Sequence, residues 1–278
     1  MSDGLAALGG DLVLVGCGKM GGAMLAGWLA RGLDPARVHV VEPEADQARA
    51  ILGGRGHVVA EAAALPPGLS PAILVLAVKP QAMDAVLPLY RAMAGPGCLV
   101  LSIAAGKTIG YFEAAFSPAT PIVRAMPNTP AAIGRGISVA VANGAVDPGR
   151  RALADLLLQA GGEVAWVEDE GMIDPVTAVS GGGPAYVFLL IEALAEAGVA
   201  AGLAPDLAMR LARVTVSGAG ELARLSDEPA DQLRRNVTSP KGTTERALAV
   251  LMGEGGLGPL MTRAVAAATE RSRELGRQ

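Results

Sequence analysis

Residues 12–22, LVLVGCGKMGG, constrain this chain more than any other stretch. Leu12, Val13, Leu14 and Val15 read as a strand buried on both faces. Gly16, Cys17, Gly18, Lys19, Met20 and Gly21 then give G-x-G-x-x-G just where a helix over 23–31 begins. Gly16 permits a sharp turn off the strand, Gly18 lets backbone approach a pyrophosphate, and Gly21 lets the helix lie close to the sheet. The helix N–H groups are then aimed at phosphates. A glycine triplet alone would be an ordinary turn. Set between a strand and a helix, it points to a dinucleotide site.

The pattern then repeats. A strand over 38–41 ends at Glu42, about 20 residues past the fingerprint. An acid there either accepts hydrogen bonds from the adenine ribose hydroxyls and repels a 2′-phosphate, or is turned out to solvent by Pro43. Further strands are expected over 58–59, 73–77, 99–102, 122–126, 137–141 and 164–167, with helices over 83–93, 108–116 and 147–159. Alternation of this kind predicts a doubly wound parallel sheet with ligands at the carboxyl ends of the strands. Three strand exits carry prolines or small residues: Val78, Lys79, Pro80 and Gln81 after Ala77; Ala104, Ala105 and Gly106; Pro127, Asn128, Thr129 and Pro130. Proline cannot donate to a ladder and small residues admit a ligand to the backbone, so these exits are read as a cofactor wall. Lys79, one of four lysines, suits a phosphate or ribose oxygen.

From residue 168 the strand signals cease, dividing the chain into a dinucleotide-binding domain over 1–167 and a helical dimerisation and substrate-binding domain over 168–278. A long helix over 172–202 contains VSGGGPAY, with Pro184 expected to kink it. So glycine-rich a run serves either close helix crossing or contact with a ligand, from Thr177 or Ser180. Helices are also expected over 205–226, 245–252 and 259–275. Ala208, Ala212, Thr215 and Ala219 share one face, suited to tight packing, and the extended apolar faces imply a second copy of the chain. Between helices, NVTSPKGTT at 236–244 leads into a helix N-terminus. The N–H groups of residues 241–244 form a ready anion site there, unless Thr243 or Thr244 simply caps the helix.

Composition narrows the chemistry. With 278 residues, 51% of them hydrophobic, the chain can bury more than one core. A net charge of −4 without a basic block excludes a nucleic-acid partner. The apolar run near Tyr186 is interrupted by Glu192 and Glu196, so no membrane span is expected. The N-terminus lacks the order of a signal peptide, and a cytoplasmic location follows. Two cysteines make neither a disulfide framework nor a metal cluster, and no metal is expected. His39 and His57, the two histidines, read as structural, so the chemistry must manage without a histidine acid or base.

These residues together resemble the pyrroline-5-carboxylate reductase family along essentially the whole chain. The matching stretches are GCGKMGGAM, LAVKPQ at 76–81, SIAAG at 102–106, VRAMPNTPA at 123–131, VSGGGPAYVF at 179–188 and NVTSPKGTT. The resemblance implies an α/β fold, an N-terminal Rossmann-type doubly wound sheet followed by an all-helical dimerisation domain. It also implies NADPH- or NADH-dependent reduction of 1-pyrroline-5-carboxylate to L-proline, the last step of proline biosynthesis; the lean to NADH comes from the position of Glu42 alone. Carried over by position, the substrate loop is Ser239, Pro240, Lys241, Gly242, Thr243 and Thr244. Its backbone takes the substrate carboxylate, Thr244 acts on the ring nitrogen, and Thr177 stands on the substrate side. The resemblance also implies a dimer that assembles further into a ring of dimers, and the loop is expected to reach the cofactor from a partner subunit. Two residues depart from the family pattern: Lys241 stands where glycine is usual and Gly182 where serine is usual. A 3-hydroxyacid dehydrogenase would need a catalytic lysine on a helix of the second half, whose single lysine is Lys241 in a loop. Thr244 and a filled carboxylate loop count against a regulator without turnover.

Overall fold

The computed structural model describes residues 4–6 and 8–277, which fall into two compact units, Met1–Gly181 with Ala268–Gln278, and Gly182–Ala267. In chain order the first unit holds β1 (Leu12–Val15), α1 (Lys19–Ala30), β2 (Val38–Val41), α2 (Asp46–Leu52), β3 (His57–Val59), β4 (Ile73–Leu76) and α3 (Met83–Val86). There follow β5 (Leu99–Ser102), α4 (Ile109–Ala115), β6 (Ile122–Met126), β7 (Gly136–Ala142), α5 (Pro148–Leu158), β8 (Gly162–Trp166) and α6 (Ile173–Val176). The eight strands form one sheet in the order β3-β2-β1-β4-β5-β6-β7-β8. Every neighbouring pair is parallel except β6 and β7.

That antiparallel pair departs from the all-parallel sheet expected, and chain length explains it. A parallel return needs a crossover of a dozen residues or more, whereas β6 and β7 are joined by a short span containing only the 3-10 turn Thr129–Ile133. The first unit also continues past residue 167 to Gly181. Its last helical residues are held by Ile173, which is 1% exposed within the sheet's core.

Alternate residues of β1 feed opposite faces of the sheet, as a period of two requires. Leu12 and Leu14 pack with Trp28 and Leu157 on one face, Val13 and Val15 with Tyr90 and Phe112 on the other. With both faces covered, no strand can alternate with polar residues, hence the continuous apolar runs. The helix expected over 83–93 is broken instead into α3 and the 3-10 turn Leu87–Tyr90, because Pro88 lacks the N–H that α-helix continuation requires. His39 and His57 are register partners on β2 and β3, and their rings stack 4.6 Å apart. Burial, with His57 adding to it, holds His39 below its ordinary pKa against the opposing pull of Asp11. His39 is therefore neutral near pH 7, in keeping with a structural role.

The second unit contains α7 (Gly183–Ala200), α8 (Pro205–Leu225), α9 (Ala230–Asn236), α10 (Thr243–Leu251) and the first part of α11 (Leu257–Gly276). The small face predicted for α8 is used as expected: Ala208 and Ala212 are buried, and a side chain at Gly198 of α7 would come within 3.2 Å of the Ala208 Cβ. The remaining faces are apolar and open, with Phe188 of α7 58% exposed and Val214 of α8 64% exposed. Pro184 lies in the first turn of α7, where its missing N–H would have no partner anyway, so it begins a helix instead of kinking one.

Trp28 is fully buried and its indole N–H donates to the Leu157 carbonyl at 2.8 Å, fastening α1 to α5. Replacing it with phenylalanine removes that hydrogen bond and leaves a void beside the carbonyl. Trp28→Phe should cost about 2–4 kcal/mol, read as a lower guanidinium midpoint by far-UV circular dichroism at fixed protein concentration.

Candidate functional site

The site begins where β1 ends. Gly16 takes a φ of +90°, open to glycine, and its N–H donates to the Val41 carbonyl at 2.9 Å. A Cβ on Gly16 would lie 2.8 Å from the Ala77 carbonyl oxygen, and one on Gly21 would collide with the Gly16 oxygen. Both glycines are thus forced by protein packing. Gly18 differs: a Cβ there would meet no atom within 4 Å, so the space above it is open. Gly18 is also the N-cap of α1, with no side-chain cap over the first helical N–H groups. Uncapped donors beneath open space fit an anionic pyrophosphate.

A cleft of about 580 Å³ runs from there along the carboxyl edge of the sheet. Gly18, Lys19 and Met20 line it after β1, and Ala77, Val78, Lys79 and Pro80 after β4. Ile103, Ala104 and Ala105 follow β5, with Met126 at the end of β6 and Pro127, Asn128 and Thr129 after it. All three strand exits read as a cofactor wall contribute to the cleft, although Gln81, Gly106 and Pro130 do not line it. Gly16 and Gly21 are buried beneath the loop they shape. Adjacent strands are about 4.8 Å apart, so the step from β1 to β6 spans roughly 14 Å. With Glu42 just past β2, a dinucleotide would lie with its adenosine toward β2 and its nicotinamide toward β6, the arrangement expected at a switch in strand order.

Glu42 is turned inward despite Pro43. One carboxylate oxygen accepts the Cys17 N–H at 2.7 Å and the other accepts the Glu44 N–H at 3.1 Å. The carboxylate is fixed beside the fingerprint loop and keeps lone pairs free for a ribose. Polar contacts likewise set the far wall. The buried Ser102 hydroxyl accepts the Ala104 N–H at 3.3 Å, and the Asn128 side-chain oxygen accepts the Ile137 N–H at 3.0 Å. Arg124, 4% exposed on β6, pairs with Glu170 at 2.8 Å, and the same oxygen takes the Ile109 N–H that opens α4. Sequence reasoning passed over Ile103, Met126 and Gly181 as cleft residues. Gly181 belonged to the run flagged for close contact, whereas Ile103 and Met126 look like any strand-end hydrophobe.

Thr177 opens the π-helical turn Thr177–Gly181, and its hydroxyl donates to the Ile173 carbonyl at 2.7 Å. In the second unit, residues 239–244 lead into α10 as expected, with one alternative settled and one correction. Neither Thr243 nor Thr244 caps the helix, since Gly242 is its N-cap and no side-chain cap bond forms. Of the four N–H groups expected to be free, two are occupied: Lys241 donates to the Glu245 carboxylate at 2.7 Å and Gly242 to the Ser239 carbonyl at 3.0 Å. The N–H groups of Thr243 and Thr244 remain at the positive end of the helix. Lys241 has a φ of +61°, the one non-glycine value above zero among the described residues. The glycine-like geometry is kept without glycine.

Residues 170–275 match the family model for pyrroline-5-carboxylate reductase dimerisation, and residues 11–106 match the model for NADP oxidoreductase, coenzyme F420-dependent. The chain is 40% identical to a pyrroline-5-carboxylate reductase of Pseudomonas aeruginosa, over 96% of this chain and 97% of that one. It is 45% identical to that of Synechocystis over 74% and 76%. Among solved structures, a pyrroline-5-carboxylate reductase of Coxiella burnetii superposes with a TM-score of 0.88 at 36% identity, covering 97% of this chain and 99% of the other. The Plasmodium falciparum pyrroline carboxylate reductase, solved with NADP bound, gives 0.80 at 30% identity over 96% and 98%. The helical run Glu170–Ala200 is, by length and composition, apolar enough to cross a membrane, so Glu192 and Glu196 do not exclude this as expected. The dimerisation match accounts for the same apolar surface.

Burial, and secondarily Glu42, pushes the Cys17 thiol up to about 11, and burial pushes Cys98 up to about 12. Both stay protonated at pH 8. Neither should react with a disulfide reagent such as DTNB in the native protein over minutes, and both should react once guanidinium unfolds it.

Proposed function

The chain belongs to the pyrroline-5-carboxylate reductase family, and from that premise we infer that it reduces 1-pyrroline-5-carboxylate to L-proline, the last step of proline biosynthesis. It is an oxidoreductase with a nicotinamide-binding Rossmann-type domain and a helical domain through which it self-associates. The observation that carries this reading is the match over 96% of the chain at 40% identity.

A bound reduced nicotinamide supplies the hydride that the C=N carbon of the cyclic imine accepts. The imine is basic enough to arrive protonated, which suits a cleft without histidine. The work left to the protein is to hold the ring carbon against the cofactor and keep water out, where effective molarity provides much of the rate. The uncapped turn at Gly18, Lys19 and Met20 would take the pyrophosphate, and Lys79 a phosphate or ribose oxygen. Ala77, Val78, Pro80, Ala104, Ala105 and Asn128 would form the wall on which the rest of the cofactor lies. In the substrate loop, the Thr243 and Thr244 N–H groups take the substrate carboxylate, and the Lys241 side chain adds positive charge. Ser239, Pro240 and Gly242 set the path of the backbone. The Thr244 hydroxyl hydrogen-bonds the ring nitrogen as it becomes an amine. Thr177, having spent its proton on Ile173, meets substrate as an acceptor. We take the loop of one protomer to serve the cleft of its partner within a ring of dimers, in the cytoplasm.

Oxidation of NADH or NADPH on adding 1-pyrroline-5-carboxylate tests the activity directly. Thr244→Ala should lower kcat about 10- to 100-fold, the effect of one transition-state hydrogen bond to a charged group. Its KM for the dinucleotide should stay within about twofold. Unchanged kcat with weakened dinucleotide binding would remove Thr244 from the chemistry.

Glu42 supports a preference for NADH, because its fixed carboxylate lies where a 2′-phosphate would be repelled. The ratio of kcat/KM for NADH over NADPH should exceed one, and Glu42→Ala should reduce that ratio by about tenfold. A wild-type enzyme that strongly prefers NADPH refutes the assignment.

A further inference from the structure

Apart from Thr177, the π-helical turn Thr177–Gly181 is not absorbed by the reading above. Turns of this kind are rare and concentrate at functional sites. This one accommodates an extra residue just where the chain passes the β6 end of the cleft. Gly181 lines the cleft, and a Cβ on it would lie 2.5 Å from the Met126 Cε, so the turn is pressed against the strand exit. Beside it, the half-buried Ser180 has its Oγ 3.5 Å from the side-chain nitrogen of Asn128, itself a cleft residue.

The orientation of Asn128 is not free. Its side-chain oxygen accepts the Ile137 N–H at 3.0 Å, so the group facing Ser180 is the NH₂ donor. Ser180 Oγ is therefore the acceptor in that contact, and its own proton must be given elsewhere. Among the described residues no acceptor for it is present. A chain of donors thus runs from the Ile137 N–H through Asn128 to Ser180, whose neighbours Asn128 and Gly181 both line the β6 end of the cleft.

We propose that Ser180 is a cofactor-binding residue, whose hydroxyl donates to the carboxamide oxygen of the nicotinamide and so fixes which face of the ring meets the imine. The assignment rests on the cleft holding a nicotinamide dinucleotide with its ring toward β6. The carboxamide oxygen is the acceptor that end of the cofactor presents. The π turn then has a purpose, since it carries Ser180 to Asn128 and Gly181 to Met126 together. Asn128 is a positioning residue in this arrangement, acting through Ser180.

The test compares two ligands by calorimetry, without imine substrate: the oxidised dinucleotide, and ADP-ribose, which lacks the nicotinamide. Ser180→Ala should raise the Kd of the dinucleotide about three- to tenfold, the value of one hydrogen bond, and leave that of ADP-ribose within about twofold. Ser180→Thr, which keeps the hydroxyl, should recover most of the loss. Equal weakening of both ligands, or no change in either, overturns the proposal. If the alanine variant does not fold, Ser180→Cys carries the same comparison with a poor donor of similar size. Should ADP-ribose and dinucleotide both fail to bind the wild-type protein, the fault lies with the cofactor reading itself.

Discussion

The contact on which the structure depends is the one between the first turn and the sheet, where Gly16 and Gly21 leave no room for a Cβ. Because Gly21 sits against the Gly16 carbonyl, α1 begins almost on the strand it follows. Its first N–H groups therefore emerge at the sheet edge instead of behind it. Val15 and Ala77 are tied by a hydrogen bond of 2.8 Å at the same level, so the β4 exit is drawn up beside the turn. The β5 and β6 exits follow in register, because each parallel strand ends one step along from its neighbour. The cleft is thus a consequence of the ladder. Its chemistry is added by what each strand carries beyond its last paired residue.

A different economy governs residues 182–267. Its two long helices, α7 and α8, bury only alanines, Ala195, Ala208 and Ala212. Small residues let helix axes approach but bury little area each, so such a unit gains modest stability alone. The large side chains, Phe188, Leu189, Leu190, Leu211 and Val214 among them, face outward. A chain that spends its alanines inside and its leucines outside is built for association, as the dimerisation match accords with.

Much of this was legible in the residues. Apolar runs of four or five bounded by glycine and proline gave the strands, because a sheet covered on both faces tolerates nothing else. The wall of the cleft was readable because proline at 80, 127 and 130 announces a strand exit whatever the tertiary context. Other features were hidden for physical reasons. The antiparallel β7 has the same apolar pattern as a parallel strand, and only the length of its connection distinguishes it. The 3-10 break at Pro88 lay inside an otherwise helical spacing. The short helices α2 and α9 carry too few turns for periodicity to register. Capture of the Lys241 N–H by Glu245 depends on a side chain four residues on, which a search for free helix donors ignores. The donor chain ending at Ser180 joins residues 52 apart in sequence, beyond any local pattern.

Lys241 has one more implication. A lysine held at a φ of +61° is strained by roughly 1 kcal/mol, which glycine would relieve. Glycine, however, adds a comparable amount of freedom to the unfolded chain, about 0.5–1 kcal/mol, and folding must remove it. The two effects nearly cancel, so this position is close to an isoenergetic choice. Descendants of such a chain could exchange the two residues by drift, without passing through a destabilised intermediate. What selection can act on here is the charge alone.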